Sequence, residues 1–156
     1  MFFKKIYLKL FTLLILLLPS NFCGNFSSDR TDVHIATTHL PNEGGEFYVV
    51  ITFKPKNGWH LYWENPGDSG MPPKVNFKLP NTQNTSALLG YPAPKLLKTP
   101  PLTSFVYDEP FSLVYQLNVN TNIKPEDISI DINWLTCKHT ACAPETATVT
   151  LKDAEI

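Results

Sequence analysis

A chain of 156 residues with 13 basic and 14 acidic side chains carries a formal charge of −1, which provides no electrostatic footprint for nucleic acid or an anionic membrane surface. The basic residues are concentrated at the start: without Lys4, Lys5 and Lys9 the balance is 10 against 14.

Those three lysines precede an apolar run from Leu10 to Leu18, broken at Pro19 and followed by Ser20 and Cys23-Gly24. The pattern reads as a secretory signal peptide over residues 1–24, with cleavage expected between Ser20 and Ser28. The run is well short of the ~20 apolar residues that span a bilayer, and no second such run follows. Cys23 raises the question of lipid attachment, but Phe22 before it is a poor match to the small residue such signals prefer, so lipoprotein anchoring is disfavoured. About 130 residues remain, enough for one domain and too few for two ordinary ones, placed here at 30–156.

From Val33 onward the apolar residues recur with period two, and no stretch sustains a helical repeat. Val33–Ala36 is a short candidate strand. Glu46–Lys54 sets Phe47, Val49, Ile51 and Phe53 on one face. Trp59–Trp63 follows, then turn-forming residues from Asn65 to Gly70, then Val75–Leu79. Ala87–Pro110, with Tyr91-Pro92-Ala93-Pro94 and Thr99-Pro100-Pro101, is expected to be a long surface loop. Phe111–Val119 alternates like Glu46–Lys54. Ile128, Ile130, Ile132 and Trp134 alternate with Ser129, Asp131 and Asn133, which directs Trp134 to the core. The chain is then expected to leave the sheet near Thr136, carry Cys137–Pro144 as a loop, and return as the strand Thr146–Leu151. Seven or eight short strands between Pro, Gly and Asn loops indicate an all-β fold, an immunoglobulin-like sandwich of two sheets.

Once the N-terminal segment is set aside, Cys137 and Cys142 are the only cysteines, separated by four residues. They are able to close into a disulfide, yet the ring ties together only one local loop. In the chain-entropy model such a bridge contributes about 2 kcal/mol, against about 4–5 kcal/mol for a loop of ~100 residues. That favours a pair that opens and closes over a staple. Free thiols ionise near pH 8.5, so only about 3% would be thiolate at neutral pH. His139, between the cysteines, is a candidate for raising that fraction, whereas Lys138 reads as a solvated loop residue. Trp59, Tyr62 and Trp63 read first as core aromatics.

Two stretches together resemble one family: Gly58-Trp59-His60-Leu61-Tyr62-Trp63-Glu64-Asn65-Pro66-Gly67-Asp68-Ser69-Gly70-Met71-Pro72-Pro73, and Trp134-Leu135-Thr136-Cys137 through Cys142-Ala143-Pro144-Glu145. They are similar to the N-terminal periplasmic domain of the thiol:disulfide interchange protein DsbD and its copper-tolerance relatives of the ScsB type, over nearly all of the mature chain. The resemblance implies a periplasmic immunoglobulin-like module that acts in protein-disulfide reduction. Electrons would come from a membrane-embedded or thioredoxin-like thiol reductase and pass to oxidised periplasmic proteins. Cys137 and Cys142 would be the exchanging pair, with Cys142 forming mixed disulfides and Cys137 resolving them; no metal, nucleotide or flavin is called for. The loop around Asp68 and His60 would pack beside the cysteines and influence thiol ionisation. Phe105 and Tyr107 are the candidates for an aromatic cap over the cysteines. The chain departs from the best-known members in spacing the cysteines one residue closer, and in ending at Ile156 without a membrane conduit or thioredoxin-like domain. On that basis it is expected to be either a stand-alone module or a shortened form.

Two other readings compete. One is a non-catalytic binding module with a structural disulfide. The other is a copper-binding protein in which Cys137, His139 and Cys142, with Met71 or His60, form a soft ligand set. Hydrolysis has no nucleophile motif to support it.

Overall fold

The structure, a computed structural model, describes residues 22–37, 45–80, 85–119, 123 and 127–151. The signal peptide expected over 1–24 lies almost wholly outside them. The described elements are eleven strands: β1 (Phe22–Ser27), β2 (Thr31–Thr37), β3 (Gly45–Pro55), β4 (Leu61–Gly67), β5 (Lys74–Lys78), β6 (Thr85–Leu88), β7 (Lys95–Thr99), β8 (Leu102–Tyr107), β9 (Phe111–Val119), β10 (Ser129–Lys138) and β11 (Ala141–Thr150). Among the described residues no helix is long and apolar enough to cross a membrane.

A five-stranded sheet, β1-β2-β3-β9-β6, packs against a three-stranded sheet, β11-β10-β5, as an immunoglobulin-like sandwich. The period-two pattern decides which side chains meet between the sheets. Phe47, Val49, Ile51 and Phe53 of β3 and Phe111, Leu113, Tyr115 and Leu117 of β9 are buried, as are Ile130, Ile132 and Trp134 of β10. Phe53 stacks on Phe111 at 5.2 Å and meets the edge of Trp134 at 5.8 Å, so one aromatic row joins the two sheets. β1 begins at Phe22, upstream of residue 30, and its Phe26 meets the other side of Trp134 at 5.4 Å.

Two expectations from the sequence are corrected. Ala87–Pro110 is not a continuous loop: β7 and β8 form a hairpin there, paired from Lys95↔Val106 to Thr99↔Leu102, with Pro100-Pro101 at its turn. The prolines occupy the turn, where no ladder donor is required, so they interrupt neither strand. With β4, this hairpin makes a third sheet, β4-β8-β7. The second correction concerns the cysteines. β10 does not leave the sheet at Thr136 but runs through Cys137 to Lys138, and β11 begins at Ala141 rather than Thr146. The expected eight-residue loop is a two-residue turn, His139-Thr140, and Cys137 pairs directly with Cys142 across the hairpin. β10 continues past Thr136 because Cys137 is paired on both sides, with Cys142 of β11 and by two backbone hydrogen bonds with His60, and its side chain packs on Tyr62 and Val106 of the third sheet.

Candidate functional site

The disulfide Cys137–Cys142 spans two neighbouring strands with Cα atoms 4.1 Å apart. The backbone explains the closeness. Cys137 N–H donates to His60 O at 3.0 Å, and His60 N–H donates to Cys137 O at 2.9 Å. Both polar groups of Cys137 therefore point away from β11, so Cys137 and Cys142 form a non-hydrogen-bonded pair, the kind whose side chains approach most closely in an antiparallel ladder. His139 opens the turn with φ 53°, the left-handed conformation that tight hairpin turns demand at that position and that His tolerates better than most residues.

The two sulfurs occupy different environments. Cys137 is 1% exposed and packs with Tyr62 of β4 and Val106 of β8, flanked by Leu97 and Leu135; Cys142 is exposed. Trp134 and Cys137 have opposite parity on β10, so Trp134 faces the sandwich core while Cys137 faces the third sheet.

Beside the hairpin turn lies an open groove of about 440 Å³, walled by Trp59, His60, Leu97, Val106, Asp108 and His139 among others. Thus His60 and His139 both reach the surroundings of the disulfide. Burial pushes the His60 imidazole below its ordinary pKa, with Asp108 pulling weakly the other way. Asp68 is committed elsewhere: its Oδ2 accepts from Thr103 N–H at 2.8 Å, and its own N–H donates to Thr103 O, which fastens the turn after β4 to β8. Phe105 packs edge-on against Trp63 at 5.7 Å, and Tyr107 stacks on Phe111 in the main core while its hydroxyl donates to Pro92 O. Both lie on the face of β8 opposite Val106, so the side chain that covers Cys137 from β8 is Val106. Lys138 is not simply solvated: Nζ donates to Asn57 O at 3.1 Å and holds the hairpin tip to the turn before β4. Among the described residues no three His, Cys, Asp or Glu side chains are grouped to hold a metal ion, and both sulfurs of the copper reading are in the disulfide.

Asn65–Gly67, expected to be a turn, end β4, and the turn that follows them to Gly70 has a steric role as well. A Cβ on Gly70, at φ 106°, would lie 2.2 Å from the Tyr62 ring, which itself packs on Cys137. Gly70→Ala is therefore expected to displace Tyr62 and destabilise the domain by about 1–3 kcal/mol, the usual range for overpacking. A lowered urea midpoint with an unchanged slope checks this.

Beneath the hairpin, on the core face, lies a cluster that the motif alone did not single out. Glu145, paired with Trp134 across β10 and β11, is buried. Its Oε2 accepts from Thr136 Oγ1 at 2.6 Å, Trp134 Nε1 at 3.0 Å and Thr31 Oγ1 at 3.2 Å, and Arg30 Nε lies 3.4 Å from Oε1. The Arg30 guanidinium also sits over the Trp59 ring at 5.7 Å, linking the cluster to the groove wall. Desolvation pushes the Glu145 carboxyl up, but hydrogen bonds from Ser28, Thr136, Thr31 and Trp134 outweigh it and hold the pKa below the ordinary value.

Comparison with known proteins bears on this arrangement. The N-terminal periplasmic domain of ScsB from Proteus mirabilis shares the fold, at 16% identity and a TM-score of 0.66 over 85% of this chain and 51% of that one; the chain thus spans about half the length of that structure. The GAE domain of GGA2p from Saccharomyces cerevisiae is similar at 11% identity and TM-score 0.47, covering 83% and 96% of the two chains. The yeast GGA1 GAE domain is similar at 12% and 0.48, covering 85% and 98%. A comparison with curated proteins finds no match. The family model for the N-terminal region of the thiol:disulfide interchange protein DsbD matches residues 32–154, a span that includes the His60 bridge, the paired cysteines and Glu145, and the chain belongs to that family.

Proposed function

We propose that this protein is an exported thiol:disulfide exchange module of the periplasm. It takes reducing equivalents from a membrane-embedded or thioredoxin-like reductase and passes them to oxidised exported proteins, as a protein-disulfide reductase or a stand-alone part of one. The observation that carries this reading is the unequal exposure of the two cysteines. Exchange requires a thiolate to approach a disulfide through a mixed-disulfide intermediate, so a partner reaches the exposed Cys142 while the buried Cys137 is reserved for the intramolecular step. As a staple the bridge would be largely redundant, because the ladder Ser129↔Thr150 to Lys138↔Ala141 already holds the same two strands. Export belongs to the same reading: a cut ahead of Phe22, inside the expected window, keeps β1 and the contact of Phe26 with Trp134.

The test is trapping. Cys137→Ala is expected to accumulate mixed disulfides through Cys142 in the exported protein, visible as adducts of higher mass on non-reducing gels, whereas Cys142→Ala accumulates few. The reverse pattern exchanges the two roles. Adducts with neither variant would leave a binding module with a structural disulfide as the better account.

A further inference from the structure

We infer that His60 accepts the proton of Cys137 in the step that resolves the mixed disulfide, an inference that rests on the exchange reading above. The geometry comes from the ladder. His60 and Cys137 are antiparallel partners joined by both backbone hydrogen bonds, so their side chains leave the sheet on the same face, with Cβ atoms about 5 Å apart in such pairs. Cys142 is the partner of Cys137 on the other side. One row across three chain segments therefore reads imidazole, buried sulfur, exposed sulfur. Tyr62, two residues after His60 and on the same face, packs on Cys137 and meets the His60 ring at 5.3 Å, which fixes the imidazole on the cysteine side.

A buried thiol needs such a neighbour. Taking Cys137 out of water disfavours its thiolate, and water does not reach it freely to remove the proton. The other ionisable groups nearby are poorly suited. Tyr62 is kept protonated by burial. Asp108 faces the groove but is ion-paired to Lys95 at 2.9 Å. Lys138 Nζ is engaged as a donor to Asn57 O, and His139 belongs to the turn itself. Half-buried His60 is held neutral near pH 7 because burial lowers its pKa, so its ring nitrogen is free to accept.

The step balances as follows. In the mixed disulfide, Cys142 Sγ is bonded to the partner's sulfur and Cys137 is a thiol. The Cys137 proton moves to His60, and the sulfur's electron pair attacks Cys142 Sγ. The Cys137–Cys142 bond forms, the bond from Cys142 to the partner breaks, and the partner leaves as a thiolate, to which the imidazolium proton is finally delivered through solvent. The cysteine pair is oxidised and the partner reduced by two electrons. In the reverse direction, protonated His60 supplies the proton to Cys137 as a reductant attacks Cys142.

The test uses reduced protein mixed with excess 5,5′-dithiobis(2-nitrobenzoate), a small aromatic disulfide that releases one coloured thiolate on adduct formation and a second on resolution. His60→Gln leaves the backbone bridge in place and removes the titrating nitrogen. Its second phase is expected to be about a hundredfold slower than wild type at pH 7, the low end of acid–base catalysis, and to regain speed as pH rises toward the thiol pKa, with the first phase unchanged. Equal second phases and pH profiles in the two proteins would overturn the role of His60 while leaving exchange intact, and so would equal slowing of both phases, which marks a general disturbance of the site. Release of only one thiolate by wild type would instead overturn the exchange reading itself.

Discussion

Trp134→Ala is expected to lower the stability of the domain by about 3–5 kcal/mol, the usual range for truncating a buried aromatic, and so to remove a large share of the ~5–15 kcal/mol that holds a domain folded. Trp134 is 0% exposed, lies between Phe26 and Phe53, and donates its indole N–H to Glu145. Alanine would leave a void in an aromatic row that crosses between the sheets and strip a hydrogen bond from a buried carboxylate. Urea unfolding followed by tryptophan-independent circular dichroism measures the loss. A midpoint equal to wild type would overturn the placement of Trp134 in the core. The proposed exchange activity should fall in proportion to the unfolded fraction, because Trp134 lies on the opposite face of β10 from Cys137.

The second large effect is expected at Glu145. Glu145→Ala removes the common acceptor of Thr31, Thr136 and Trp134 and the partner of Arg30. Breaking a buried ion pair from one side costs about 3–5 kcal/mol, and the lower end applies here because Arg30 remains partly in contact with water. The cluster also makes stability depend on pH. The folded carboxyl titrates below its ordinary value, so folding favours the ionised form. That contribution is fully present above the ordinary carboxyl pKa and is lost as pH falls from there through the folded pKa. Asp32, Asp108 and Asp131 are shifted in the same direction, by hydrogen bonds from Ser27, Lys95 and Lys78 respectively as the leading causes, and contribute to the same acid loss. Unfolding midpoints of wild type and Glu145→Gln at pH 7 and pH 4 isolate the Glu145 part: the difference between the two proteins should shrink at the lower pH. A constant difference would show that Glu145 acts through shape alone.

Strands that face one core and one solvent layer were legible from the sequence because their side chains alternate. Phe111–Val119 is found with the expected bounds, and Glu46–Lys54 is extended by one residue at each end. β7 and β8 carry no comparable signal. β7 is largely exposed, β8 alternates over only a few residues, and the prolines around them read as breaks although they fill the turn. The motif Gly58–Pro73 marked a segment near the cysteines, but its members divide: His60 and Tyr62 face Cys137, Leu61 enters the main core, and Asp68 ties a turn to β8. That division follows from strand parity, which is readable only when the start and register of the strand are known.

By itself, the sequence determined the all-β class, the inward phase of Trp134 and the cysteine pair on a hairpin, since each depends on local periodicity or short spacing. It also pointed to the family through an ordered set of residues. Only the tertiary structure decided that Cys137 is covered and Cys142 open, that His60 is the backbone partner of Cys137, and that Glu145 gathers donors from Thr31 and Arg30. These contacts join residues as far apart in the chain as 30 and 145, and no local pattern encodes which distant strands meet. The third sheet settles it: by packing Tyr62 and Val106 on the end of β10 it buries one of two chemically identical side chains and leaves its neighbour exposed.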